Sequence, residues 1–464
     1  MQLGEVSRER FNPARPDELV SVTPAGDAAT AADAVVSATA AQRAWAARTG
    51  PERGAVLMRA GEILASRADL VATDLVREEG KTLAEATGEV HRAANVLRFF
   101  GSACWQADGE TLPSSAPGTH VYTRREPLGV VGVITPWNFP LAIPTWKIAP
   151  ALAVGNAVVV KPAQLTPLSV WHLADCLSAA GLPSGVLNVV FGSGSVVGEA
   201  IVADPDVSAV SFTGSSAVGA RIAAVAAQRN CRVQLEMGGK NPLVVLDDAD
   251  PAVAADIASA GAFGLTGQAC TATSRVIVTP GVRHALTENL VRAAARFQPG
   301  DGLNPATTMG PVVSAGQLTT HREFLSTALA EGNQLVCGYE EPVGLFEHAM
   351  VVTGVGRKNT LAQEEVFGPL LAVMTVEDLD EAIAVANDVA YGLSAGIVTN
   401  DLRAAQHFVG HAEAGVVKVN RPTTGLDLNV PFGGIKASSS NTYREQGLGA
   451  LDFYSWTKSV YLGV

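Results

Sequence analysis

Four short apolar runs, Val130–Ile134, Ala157–Val160, Leu187–Val190 and Ala209–Phe212, alternate with helical stretches over 141–154, 168–180 and 195–203. Runs this short and rich in β-branched residues suit strands buried on both faces. Parallel neighbours need a crossover connection, and the intervening helices supply it. The pattern therefore predicts βαβ units. A second alternation follows: Leu243–Leu246, a helix over 251–264, Arg275–Val278, a helix over 283–297, Leu370–Val376, a helix over 379–388 and Ser394–Val398. The fold class is α/β, with two α/β lobes joined near 236–241.

Ahead of the first lobe, residues 27–100 read as Ala-rich helices with Leu57, Ala60 and Leu64 on one face and a stop at Gly80. From about 108 the texture changes. Leu112–Pro113, Pro117–Gly118 and His120–Thr123 predict a hairpin or projecting strand. The C-terminal DFYSWTKSVYLGV is apolar and aromatic, which calls for packing against a partner subunit or its own body.

The 464 residues are enough for more than one domain. A net charge of −12 argues against a nucleic-acid surface, which needs clustered Lys and Arg. The longest apolar stretches are broken before membrane-spanning length, and MQLGEVSRERFNPARPDELV lacks the apolar core of a secretory signal. Cysteines 104, 176, 231, 270 and 337 form no C-x-x-C pair and no metal spacing. Such a set fits a reduced, cytoplasmic setting.

One of these cysteines stands apart. Cys270, in GQACTATSR (267–275), sits among small polar residues in a loop that leads into a strand. It is a candidate nucleophile, or a small core residue. A thiol nucleophile needs a base and a donor for developing oxyanion charge. Glu236, in QLEMGGKNP (234–242), offers a carboxylate that activates water or the thiol; its plainer use is as a surface residue. Asn138, in VITPWNFP (133–140), offers an amide in a rigid turn after a strand, or an Asx-turn. Gly214, Ser215 and Gly219, in VSFTGSSAVG (210–219), mark a helix start able to take a phosphate. Lys161, in VVVKPAQLTP (158–167), ends a strand where its ammonium can meet ribose or phosphate. Glu365 and Phe367, in EEVFGP (364–369), place a carboxylate and an aromatic on one tight turn, suited to a ribose and a flat ring.

The set TPWNFP, KPA..TP, FTGS....G, LE.GGKNP, GQ.C, EEVFGP and PFGG.K, in this order over nearly the whole chain, resembles the aldehyde dehydrogenase superfamily. The 34-residue interval between Glu236 and Cys270 also resembles that family's. The resemblance implies two Rossmann-like α/β lobes, one cofactor-binding and one catalytic, plus a small β oligomerisation arm. Its division is 1–107 with 127–236 for the cofactor, 237–438 for catalysis, and 108–126 with 439–464 for the arm, in a homodimer or homotetramer. It further implies that Cys270 attacks an aldehyde while Asn138 and the Cys270 N–H hold the oxyanion. Hydride passes to NAD or NADP, and Glu236 activates the water that releases the acid. Trp137, Lys161, Gly214, Ser215, Gly219, Glu365 and Phe367 would bind the dinucleotide, and Glu445 would relay protons. No metal is implied.

Gln164 departs from the Glu of many NAD-preferring members. A neutral amide there removes repulsion of a 2′-phosphate, so NADP is the expected preference. Phe139, Ile143 and Trp146 would line the substrate tunnel, with Arg421, Thr423 and Thr424 at a polar end suited to a carboxylate. The run from Val419 through Gly447 most resembles 2-oxoglutarate semialdehyde (2,5-dioxopentanoate) dehydrogenases, which implies a short ω-oxo acid as substrate. Broad aliphatic, aromatic and succinate semialdehyde oxidation stand as alternatives, as does a non-catalytic protein on the same fold. Glu236 argues against a CoA-acylating relative, since hydrolysis needs a base.

Overall fold

The computed structural model describes residues 7–106, 108–338 and 340–463. Residues 1–6, 107, 339 and 464 lie outside the described residues, and with them those ends of the expected domains.

The first alternation builds a five-stranded, all-parallel sheet. Its spatial order is Leu187–Val189, Ala157–Lys161, Val130–Ile134, Val207–Thr213 and Arg232–Glu236. Two strands, Val130–Ile134 and Ala157–Lys161, are buried along their whole length, as their unbroken apolar runs require. Helices Ala28–Ala46, Gly50–Ser66, Ala68–Glu79 and Leu83–Ala103 supply the first layer, and three of them open with a reciprocal side-chain cap at Asp27, Thr49 and Thr82.

The second alternation builds a seven-stranded sheet, in the order Gln334–Cys337, Met350–Thr353, Leu370–Thr375, Arg275–Val278, Pro242–Val245, Ser394–Val398 and Val416–Val419. Only the edge strand Gln334–Cys337 runs antiparallel to its neighbour. Two α/β lobes result, joined by the short passage from Glu236 to Pro242. The carboxyl ends of the first sheet's strands meet the amino ends of the second sheet's strands across that passage. This is where ligands gather in open α/β sheets.

A third sheet pairs Ser455–Gly463 with Thr119–Pro127, which in turn pairs with Thr111–Leu112. No described helix is long and apolar enough to cross a membrane.

Some structure has no counterpart in the sequence reading. The N-terminal hairpin Ser7–Asn12 with Arg15–Pro24 is mostly exposed, so no buried alternation marks it. The segment 298–363, for which the sequence pattern predicts no element, holds the helix Ala315–Ala330 and two strands. The helix expected over 195–203 is a π-helical turn, Gly194–Gly198, followed by one α-turn, Glu199–Ala203. Such turns recur at functional sites.

Candidate active site

The nucleophile loop is built under strain. Leu265, Thr266 and Gly267 all adopt positive φ (55°, 57° and 66°), and Thr266 is β-branched. A Cβ on Gly267 would sit 2.3 Å from the Gly368 carbonyl oxygen, so only glycine lets this loop pack against the EEVFGP turn. Beyond Gly267 the chain is clamped on both sides. Asn241 Nδ2 donates to the carbonyls of Cys270 and Ala272 (2.8 Å each), and the Thr423 hydroxyl donates to the Thr271 carbonyl (2.7 Å).

Cys270 opens into a cavity of about 270 Å³ whose wall also holds Asn138 and Ile143. Trp137, Gly214, Ser215, Glu365 and Phe367 bound the same cavity. The Trp137 and Phe367 rings meet edge to face at 5.3 Å. Glu365 Oε1 accepts the Gly239 N–H at 3.0 Å, and burial raises its carboxyl to about 7. The Asn138 side chain donates to the Gln268 carbonyl at 3.0 Å, two residues before the thiol. Burial pushes the Cys270 thiol up to about 12, with the carboxylates of Glu365, Glu236 and Glu445 acting in the same direction.

Glu236 is buried at the end of its strand and is not part of the cavity wall. Its oxygens accept from the Gly434 N–H and the Ser439 hydroxyl, each at 3.0 Å. Burial, and then the neighbouring Glu445 carboxylate, hold it well above the usual carboxylate range. Glu445 in turn accepts from Trp146 Nε1 (2.8 Å) and pairs with Lys147, which also donates to Ser211. Trp146 is thus tied to an acid as well as placed one helical turn from Ile143.

A second cavity, of about 280 Å³, lies between the π-turn and the helix Ser216–Ala227, lined by Ile134, Gly194, Val218, Ile222 and Val225. Its apolar walls suit a flat heteroaromatic ring. Lys161 lies behind one lining residue: a Cβ on Gly198 would lie 3.7 Å from Lys161 Cδ. Burial lowers the Lys161 ammonium to about 8. Gln164, turned with its amide oxygen toward Arg8, accepts from Arg8 Nε and Nη1 (3.1 Å each) and from the Ser193 N–H (3.3 Å). Two cavities, one beside the thiol and one beside Lys161, fit the two halves of a dinucleotide.

Two expected roles need correction. Gly219 is turned toward Met237, whose Sδ a Cβ would approach to 2.5 Å, and its N–H is already bonded to the Ser215 carbonyl at 3.0 Å, so this glycine serves helix packing and has no free donor for a phosphate. Thr423 is fully buried, and its hydroxyl is committed to Thr271 and to Thr273 Oγ1 (2.8 Å). It holds the nucleophile loop and leaves nothing for a substrate. Phe139 is half-buried against the helical core, with the Lys81 ammonium 4.7 Å above its ring. Thr424 is half-buried, and Arg421 is exposed with no ion pair among the described residues. The sequence reading missed Arg8, Asn241 and the buried charges of EEGKTLAE (78–85). The one local signal for the last is the cap Thr82-x-x-Glu85 after Gly80.

The profile of the aldehyde dehydrogenase family matches residues 4–460. The chain belongs to this family. It is 49% identical over 466 residues to the alpha-ketoglutarate semialdehyde dehydrogenase of Haloferax volcanii, covering 99% of this chain and 96% of the relative. It is 46% identical over 435 residues to the 2,5-dioxopentanoate dehydrogenase of Saccharolobus solfataricus, covering 93% and 91%. Among solved structures, an NADP-dependent enzyme of E. coli superposes with a TM-score of 0.96 at 34% identity, covering 99% of this chain and 95% of that one. This aldehyde dehydrogenase is an NAD(P)-dependent oxidoreductase.

Proposed function

We propose that this aldehyde dehydrogenase oxidises a short ω-oxo acid, 2-oxoglutarate semialdehyde by preference, with NADP as the favoured acceptor. The observation that carries the chemistry is the meeting of Cys270 and Asn138 in one cavity with Glu365 and Phe367. The substrate class rests on similarity to the two semialdehyde dehydrogenases above. Cys270 releases its thiol proton to solvent and Sγ, as the thiolate, adds to the aldehyde carbon, while the oxyanion is held by Asn138 Nδ2 and the Cys270 N–H. The nicotinamide, when bound, supplies the hydride acceptor. Loss of hydride from the thiohemiacetal leaves a thioester on Cys270. Glu236, freed from Gly434 and Ser439, takes a proton from the water that attacks the thioester carbon; the thiol leaves and the acid departs. A carboxylate of raised pKa is a competent base near neutral pH. Initial rates with 2-oxoglutarate semialdehyde, succinate semialdehyde, hexanal and benzaldehyde test the substrate. A flat profile, or one led by hexanal, would discard the oxo-acid assignment.

Arg421 is the proposed carboxylate anchor, being an exposed cation with no ion pair to displace among the described residues. Arg421→Ala should raise KM for acidic aldehydes by about tenfold and leave hexanal unaffected. An unchanged KM for both semialdehydes would remove Arg421 from the site.

The neutral Gln164, bonded to Arg8, supports the NADP preference, since no carboxylate stands at this position against a 2′-phosphate. Gln164→Glu should shift the kcat/KM ratio toward NAD by roughly 10- to 100-fold, equivalent to about 1.4–2.8 kcal/mol. A ratio that stays put sinks the assignment.

Subunit pairing through the arm, giving a dimer or tetramer, is supported by its strand Ser455–Gly463. This edge strand exposes Trp456, Tyr461 and Leu462, which is unusual for a strand left facing water.

A further inference from the structure

Glu85 and Glu89 stand four residues apart in the first turns of the helix Leu83–Ala103, on one face, and Lys81 lies just ahead of its cap Thr82. Lys81 and Glu89 are buried, and Glu85 is half-buried and bonded on both oxygens. The Lys81 ammonium donates to Glu89 Oε2 at 2.6 Å and to the Asn138 carbonyl at 2.8 Å. Glu89 Oε1 accepts the N–H groups of Leu141 and Ala142, each at 2.9 Å. Those two groups open the helix Ala142–Val154, where backbone donors have no partner within the helix. One ion pair therefore grips the turn that carries Asn138 from both ends.

Glu85 reaches the other reacting element. Its Oε2 closes the cap with Thr82, and its Oε1 accepts the N–H of Leu265 at 2.7 Å. Leu265 is the first of the three left-handed residues that lead to Gln268 and Cys270. The Gln268 carbonyl is the acceptor for the Asn138 amide. Lys81, Glu85 and Glu89 thus hold both the donor turn and the nucleophile loop.

A buried ion pair is a poor source of net stability, because desolvation offsets the Coulomb gain and apolar replacements are often neutral. Its value lies in fixing geometry, and an oxyanion donor misplaced by about 1 Å loses much of its effect. We propose that Lys81, Glu85 and Glu89 are positioning residues that set the Asn138 amide against Cys270. This rests on the reading of Asn138 as oxyanion donor.

The test is a double-mutant cycle of Lys81→Met with Asn138→Ala, followed by the stopped-flow burst of reduced cofactor. Asn138→Ala alone should slow the burst by about 10²-fold or more. Lys81→Met in the wild-type background should slow it roughly 10- to 100-fold, with KM for the aldehyde and Kd for NADP within about threefold of wild type. In the Asn138→Ala background the same change should alter the burst less than about twofold. Equal fold losses in both backgrounds, or none in either, overturn the positioning role. A full-speed Asn138→Ala enzyme instead overturns the oxyanion reading beneath it. Should Lys81→Met not yield folded protein, Glu89→Gln carries the same cycle. It keeps an acceptor for Leu141 and Ala142 while removing the charge that holds Lys81, and the same outcomes decide.

Discussion

Enzyme carrying Glu236→Gln should give a burst of reduced cofactor and then stall. The substitution is close to isosteric at a buried site. The amide oxygen can still accept from the Gly434 N–H, and Ser439 can turn its hydroxyl to accept from the amide nitrogen. What disappears is a base able to deprotonate water. Acylation of Cys270 and hydride departure do not need water, whereas thioester hydrolysis does. Steady-state kcat should therefore fall by about 10³-fold while the burst keeps its amplitude. The pH profile adds a second reading. Burial and Glu445 raise the Glu236 carboxyl well above its ordinary range, so its basic form is lost as pH falls at values where an ordinary carboxylate would stay ionised. In wild type, kcat should decline on the acid side with that raised pKa, and the limb should vanish in the variant's residual rate. Unchanged turnover would remove Glu236 from hydrolysis. A burst abolished along with turnover would move its role to activating the thiol.

The parts legible in the sequence are those whose local chemistry contradicts their surroundings. Cys270 is visible because its neighbours are polar and small, where a core cysteine has apolar ones. The strands Val130–Ile134 and Ala157–Lys161 are visible because burial on both faces leaves an unbroken apolar run. The positioning charges are hidden for the opposite reason. Glu85 and Glu89 sit at helical spacing, as on a solvated face, with Lys81 just ahead of the cap, and only tertiary contact gives them their partners: the Asn138 turn for Lys81 and Glu89, the Leu265 N–H for Glu85. Thr423 misleads in the same way. A threonine after Arg-Pro looks like a binding loop, but tertiary contact spends its hydroxyl on Thr271. Gly219 shows that a glycine at a helix start has two uses, and the Met237 side chain decides between them here. Arg8 lies in a mostly exposed hairpin with no amphipathic period, so nothing local connects it to Gln164 across the chain.

Cys270→Ala should abolish oxidation, with a loss of about 10⁴-fold or more, because no other group in the cavity forms the acyl intermediate. The sharper expectation concerns the wild-type thiol before any ligand binds. Its pKa is pushed up to about 12 by burial first and then by Glu365, Glu236 and Glu445. A raised thiol pKa keeps the proton on, so the reactive thiolate is scarce at neutral pH and grows as pH rises. Peptide-resolved alkylation of Cys270 by iodoacetamide should thus climb about tenfold per pH unit from pH 7 to 10 with no plateau, whereas an ordinary thiol levels off above about pH 8.5. Glu365 gives the causal check. Its own carboxyl is raised to about 7, so above that pH it is an anion in the wall that Cys270 shares. Glu365→Gln removes that anion and should speed alkylation at pH 9 several-fold, since each tenth of a unit off the thiol pKa raises the thiolate in proportion. A plateau near pH 8 in the free enzyme would mean that donors around the loop outweigh three carboxylates. The resting nucleophile would then be a thiolate already, with no proton to lose before it attacks.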